Sequence, residues 1–251
     1  MIWSRRFTLE SDSMTDVPLL NVEDIQVYYN TSHVLQGVSL TLDSGIIAIV
    51  GRNGMGKTTL VKAIMGLVES REGRIFLGGE EITNLKPYEI GSRGVGYVPQ
   101  GRELFPSLNV EEHLLIAARG GDGIGWDLER VYELFPRLRE RAKQGGATLS
   151  GGEQQMLAIG RALVTNPRLL IMDEPSEGLA PVILDNLIET VKTLLEKGMS
   201  ILLVEQNLRT VTSLVDELHV MVAGCIVAKV DGQLLMHDQE AREKYLGVAV
   251  H

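Results

Sequence analysis

The chain has 251 residues, 44% of them hydrophobic, which is enough to bury one large α/β core. A net charge of −9 disfavours a nucleic-acid partner. The single cysteine, Cys225, excludes an internal disulfide framework and fits a reducing compartment, and no apolar run approaches the roughly 18 residues of a spanning helix.

Residues 1–17 include Arg5 and Arg6 but no apolar h-region, so they do not read as a secretory signal. They are expected to form a loose polar extension, with Met14 as a candidate start. Alternation over Leu20–Tyr28 and Val34–Leu42 predicts antiparallel strands. Gly45–Val50 is a continuous apolar run, the pattern of a strand buried on both faces in a parallel sheet. Directly after it, Gly51-Arg52-Asn53-Gly54-Met55-Gly56-Lys57-Thr58-Thr59 fits G-x-x-x-x-G-K-[ST]. Leu60–Leu67 then has helical spacing, so the loop sits between strand and helix as this motif requires. Further strands are expected around Arg74–Leu77 and at Gly94–Val98. From about 101 to 148 the pattern turns helical, with Val110–Ala118 and Leu128–Ala142 flanking a break at Gly120–Gly125. This region is expected to hang off the sheet as a helical arm. A helix over Gln154–Val164, strands at 169–173 and 200–204 around a helix at Val182–Lys197, strands within 218–230 and a short last helix complete the reading.

The chemistry gathers at three places. Backbone N–H groups of the first glycine loop, with Asn53, Gly54 and Gly56, can cradle phosphates. Lys57 can reach the β- and γ-phosphates, Thr58 can place its hydroxyl on Mg²⁺, and Thr59 continues the helix start. Arg168–Asp173 is a second apolar strand that ends in a carboxylate, followed by Glu174. Adjacent carboxylates suit a division of labour, Asp173 on the metal and Glu174 as general base. The third place is Leu149-Ser150-Gly151-Gly152-Glu153-Gln154-Gln155, a second glycine-rich cradle with no lysine of its own. A helix starting at Ser150, Gly151 and Gly152, with Gln154 in its first turn, can bind a γ-phosphate presented by an opposing subunit. Five scattered histidines have no metal-ligand spacing and read as surface or core fillers.

Together these motifs closely resemble an ATP-binding-cassette ATPase over residues 19–247. The loop resembles the family's Walker A, Leu170–Glu174 its Walker B with catalytic glutamate, and Leu149–Glu153 its signature motif. The resemblance implies a P-loop core with a mainly parallel sheet, an antiparallel β subdomain and a helical subdomain at about 101–150, within one ATPase domain over 18–251. It further implies that Gln100 contacts Mg²⁺ and water, and that Tyr29 stacks on adenine, with Tyr28 the neighbouring alternative. Two departures stand out. Gln206 occupies the place of the family's γ-phosphate histidine, and Ala180 that of an aspartate. Gln206 can donate a hydrogen bond but cannot relay a proton.

Val204-Glu205-Gln206-Asn207, Gly178-Leu179-Ala180-Pro181, Gly152–Leu163 and Gly101–Pro106 narrow the resemblance to the second ATPase subunit of bacterial branched-chain amino acid importers, close to urea and short-amide importers. That implies ATP and Mg²⁺ as ligands, a second homologous ATPase in a dimer, two permease subunits, a periplasmic solute-binding protein, and a peripheral place on the cytoplasmic membrane face. The rival class is a soluble ATPase acting on ribosomes or DNA. Its long coiled-coil insertion, or its paired cassettes with basic linkers, are not in this sequence. Leu104, Phe105, Pro106 and Leu108 are apolar for a loop. They read either as a docking groove for a permease helix or as a plug that fixes the arm to the core.

Overall fold

The computed structural model describes residues 17–119 and 125–246. Nearly all of the expected N-terminal extension, and most of the Gly120–Gly125 break, lie outside the described residues. β1 (Leu20–Tyr29) and β2 (Ser32–Leu42) form the expected antiparallel hairpin. β3 (Ile46–Val50) leads into the glycine loop, and α1 (Lys57–Ile64) starts at the lysine. The chain then returns to the hairpin as β4 (Ser70–Leu77) and the two-residue β5 (Glu80–Glu81), giving an antiparallel sheet of order β2-β1-β4-β5. The short helix α2 (Pro87–Ser92), too brief to show a period, precedes β6 (Val95–Val98).

Helices α3 (Val110–Ala117), α4 (Leu128–Leu134) and α5 (Pro136–Glu140) build the arm. The expected single helix over Leu128–Ala142 is broken at Phe135 (φ −126°, ψ 74°) because a residue before proline avoids the helical region. Then come α6 (Gly151–Leu163), β7 (Leu169–Asp173), α7 (Pro181–Glu196) and β8 (Ser200–Glu205). The chain ends with α8 (Leu208–Thr212), β9 (Glu217–Val222), β10 (Cys225–Asp231), α9 (Gly232–His237) and α10 (Gln239–Leu246).

The larger sheet has the order β10-β9-β3-β8-β7-β6, parallel throughout except for β10. Both of its faces are covered, which is why its central strands read as unbroken apolar runs. Leu169, Ile171, Leu202 and Val204 pack with α1 and the antiparallel sheet, whereas Leu170, Met172, Ile201 and Leu203 pack with the helices of the other face. The arm shares that second core. Leu114, Val131 and Leu138 close on α6 at Gly160, where a Cβ would lie 2.8 Å from the Val131 side chain. The arm is therefore packed on the sheet through α6 and does not hang free. Among the described residues, no helix is long and apolar enough to cross a membrane.

Gly224, between β9 and β10, pins the phosphate loop to the hairpin. Its N–H donates to the Met55 carbonyl at 2.9 Å, its φ is +80°, and a Cβ there would stand 2.0 Å from the Val34 carbonyl oxygen. Gly224→Ala should therefore cost about 2 kcal/mol or more, since left-handed backbone alone costs a side-chain-bearing residue about 1–2 kcal/mol. In a chain of this size that is a fall in Tm of roughly 4–8 °C, read by calorimetry.

Candidate active site

Parallel α/β sheets present ligand sites at the carboxyl ends of their strands. Here β3, β7 and β8 end level with one another: Val50 pairs with Glu205, and Asp173 with Val204. That register, across residues more than a hundred positions apart, brings the glycine loop to the Asp173–Glu174 pair. A cavity of about 410 Å³ results, lined by Val34, Asn53, Gly54, Gly56, Lys57, Thr58, Thr59, Gln100 and Glu174. Gly54 and Gly56 take φ of +81° and +104°, curling the loop so that Gly56 caps α1.

Lys57 is 3% exposed, and its ammonium is fully occupied. Nζ donates to the carbonyls of Gly51 (2.7 Å) and Arg52 (3.1 Å) and pairs with Glu174 Oε1 at 2.9 Å. Glu174 is itself buried and sits in left-handed backbone (φ +47°), held by its N–H on the Val204 carbonyl at 2.9 Å. Strain of this kind persists where surrounding bonds over-determine it, and it clusters at functional sites.

Thr58 Oγ1 donates to Asp173 Oδ1 at 3.1 Å. The other oxygen, Asp173 Oδ2, is buried without a hydrogen-bond partner. Burial pushes the Asp173 carboxyl up to about 6. The Thr58 bond opposes that rise and the Glu174 charge adds to it. A buried carboxylate with an orphaned oxygen beside a hydroxyl suits a divalent cation. No cluster of three His, Cys, Asp or Glu side chains exists among the described residues. The Tyr97 hydroxyl is also driven upward, first by burial and then by Asp173.

Gln100 Nε2 donates to Glu177 Oε2 (3.0 Å) and Glu174 Oε2 (3.4 Å). Gln206 is exposed. It lines a second cavity of about 380 Å³, which it shares with Glu174, Ser176, Glu177 and Glu205. Glu205, part of the Val204–Asn207 motif, has no site role assigned from sequence. It is 1% exposed and accepts from the N–H groups of Ser176 (2.9 Å), Gln206 (3.0 Å) and Asn207 (3.2 Å). It thus ties the loop after Glu174 to the turn after β8. Its carboxyl is raised by burial against the pull of those bonds. A lone carboxylate ending the apolar run Ser200–Val204, as Asp173 ends Leu169–Met172, was the signal that could have found it.

Ser150 caps α6. Its hydroxyl accepts from the Glu153 N–H at 3.3 Å, while Glu153 accepts from the Ser150 N–H at 2.9 Å. This capping box starts the helix three residues before the expected Gln154. Gln154 is turned back onto its own chain, donating to the Gly146 carbonyl (3.3 Å) and accepting from Arg102 Nη1 (3.1 Å). None of Ser150, Gly151, Gly152 or Gln154 lines the phosphate cavity of its own chain. The two tyrosines also separate. Tyr28 is stacked on His33 (centroids 4.1 Å apart) with Arg71 over its ring, whereas Tyr29 is 43% exposed at the hairpin tip. The expected fillers His33 and His113 are both engaged. His113 is wholly buried and accepts from the Phe105 N–H at 2.9 Å. Cys225 is half-buried, with its Sγ 3.3 Å from the Gln36 carbonyl oxygen.

A glycine loop that ends a buried strand, beside a buried Asp–Glu pair on the next-but-one strand, defines a P-loop ATPase. A family profile described as ABC transporter matches residues 35–177. The chain is 40% identical over 235 residues to the high-affinity branched-chain amino acid transport ATP-binding protein BraG of Pseudomonas aeruginosa, spanning 91% of this chain and all of that protein. It is 34% identical to the probable branched-chain amino acid transport ATP-binding protein LivF of Archaeoglobus fulgidus, over 92% and 99% of the two chains. A nucleotide-free ATP-binding cassette from an ABC transporter superposes with a TM-score of 0.78 at 30% identity, covering 92% and 100%. The chain therefore belongs to the ABC transporter ATPase family, binding ATP and coupling its hydrolysis to transport. The expected family and α/β fold are borne out.

Proposed function

We infer that this chain is an ATPase subunit of a bacterial importer for branched-chain amino acids. The observation that carries the solute class is its likeness to BraG along the whole length of that protein. In this reading Lys57 exchanges Glu174 for the β- and γ-phosphates, while Asn53, Gly54, Gly56 and Thr59 present N–H groups to the same phosphates. Tyr29, 43% exposed at the hairpin tip, stacks on adenine. Thr58, Asp173 and Gln100 would hold Mg²⁺, which neutralises charge on the phosphates when bound. Glu174, freed from Lys57, accepts the proton of the attacking water, and Gln100 orients it.

Ser150, Gly151, Gly152 and Gln154 serve the nucleotide of a second ATPase subunit, identical or homologous. Two permease subunits anchor the pair to the cytoplasmic face of the membrane and receive solute from a periplasmic binding protein. Uptake of labelled leucine, isoleucine and valine, set against urea and acetamide in a deletion strain, tests the solute. Restoration by the parent chain, with none by Glu174→Gln, is expected for the branched-chain amino acids. Rescue confined to urea or acetamide overturns the assignment.

Gln206 donates to the γ-phosphate but moves no proton. Gln206→Ala should therefore slow hydrolysis by about tenfold or less, ~1.4 kcal/mol. A loss as large as that from Glu174→Gln in the same phosphate-release assay overturns this ranking.

Of the apolar segment after Gln100, two residues differ in their surroundings. Leu104 packs on the core as a plug, but Phe105 is 52% exposed on a groove of about 670 Å³ shared with Tyr97, Ile116 and Arg161. His113 fixes its backbone and Arg161 lies 5.8 Å from its ring, so the ring is presented on a rigid mount. In this reading a short apolar permease helix docks there. Phe105→Ala should keep basal hydrolysis and lose most of its stimulation by transport substrate. Undiminished stimulation in the reconstituted complex counts against docking at Phe105.

A further inference from the structure

Gly101, Arg102 and Glu103 run consecutively with φ of +75°, +69° and +44°. Left-handed backbone is easy for Gly101 but strained for the two that carry side chains. Arg161 holds the strain in place, donating to the carbonyls of Arg102 (3.0 Å) and Glu103 (2.8 Å). The conformation aims the Arg102 guanidinium between two separate parts of the site. Nη1 donates to Gln154 Oε1 at 3.1 Å in the first turn of α6, and Nη2 to the Glu177 carbonyl at 3.4 Å. A Cβ on Gly151 would lie 3.4 Å from both Nη atoms, so the guanidinium sits close against the helix tip. Glu177 also accepts from Gln100, which reaches Glu174. One connected set of hydrogen bonds thus runs from Glu174 to the start of α6, and Arg102 closes it. Ala180, further along the same loop, has no hydrogen-bonding side chain to make a parallel link.

We propose that Arg102 is a positioning residue that ties the Ser150–Gly151 tip to the Glu174 loop, so that the tip serving one nucleotide and the base serving the other move as one body. The proposal rests on the two-subunit pocket inferred above. A guanidinium holds two acceptors in a fixed fork, which an ammonium does not. The tie therefore depends on arginine and not merely on positive charge.

The test uses the full chain in its assembled complex, with Arg102→Ala, Arg102→Gly and Arg102→Lys. Cooperativity between the sites should fall, the Hill coefficient for ATP hydrolysis moving toward about 1 in all three. Amide exchange over residues 149–156 should quicken by about fivefold or more. Binding of a fluorescent ATP analogue to the isolated chain should stay within about twofold of the parent, because the Lys57 loop is untouched. Arg102→Gly relieves backbone strain and should melt higher than Arg102→Ala, yet lose as much cooperativity. Parent-like cooperativity and exchange in Arg102→Ala overturn the proposal. Losses that follow melting temperature across the three variants also overturn it, because they mark a merely structural role. Should the parent complex itself hydrolyse without cooperativity, the two-subunit pocket fails. Exchange at 149–156 then decides the tie alone, and an unchanged rate sinks it.

Discussion

Glu174→Gln is expected to bind ATP at least as tightly as the parent chain and to hydrolyse it about 10²–10⁴-fold more slowly, the usual worth of a positioned general base. The substitution is nearly isosteric, and the Val204 carbonyl that holds the residue's backbone does not change. What is lost is an oxygen able to take a proton from water. Removing the carboxylate also removes the partner that holds Lys57 at 2.9 Å, so the lysine reaches phosphate without first breaking a buried ion pair. With closure intact and hydrolysis blocked, a nucleotide-bound dimer should accumulate. Filter binding, phosphate release and gel filtration read the three effects separately. Parent-like turnover would falsify the assignment of Glu174 as the base.

Gly151→Val should be nearly as damaging, slowing hydrolysis by about 10²–10³-fold, the cost of losing a preorganised donor at developing charge. The branched side chain would sit at a helix tip already crowded by Arg102 and would block close approach of a phosphate to the first N–H groups of α6. ATP affinity of the isolated chain should not change, because its own phosphate cavity contains no residue of that tip. Mixing makes the sharper test. Lys57→Ala and Gly151→Val should each be strongly impaired alone. In a mixed dimer one composite site carries both lesions and the other carries none, so activity returns on mixing. If each chain builds its whole site, mixing restores nothing.

Much of the site was legible because its parts are coded by short-range spacing. The glycine loop needs only strand, turn and helix in sequence, and Ser150 with Glu153 closes a capping box within four residues. Asp173 stands out as the carboxylate that ends the apolar run Leu169–Met172. Other features depend on partners distant in the chain. The Lys57–Glu174 pair spans more than a hundred residues, and Glu205 matters only because Ser176 is folded onto it. Arg102 joins the site only through Gln154 and the Glu177 carbonyl, 52 and 75 residues away in the chain. Sequence left Tyr28 and Tyr29 as neighbours, and the stacking of His33 and Arg71 on Tyr28 separated them.

By itself, the sequence determined the family, the longer strands and helices in their order, and the short motifs from which the candidate site is assembled, since those follow from residues within a few positions of one another. The tertiary structure alone decided how tightly Lys57 is held before nucleotide arrives, that the helical arm shares the core of the sheet, and which side chains join the two ends of the site. Those are set by strand register and by helix packing at Gly160, and a hydrogen bond across such distances exists only once the whole sheet has closed.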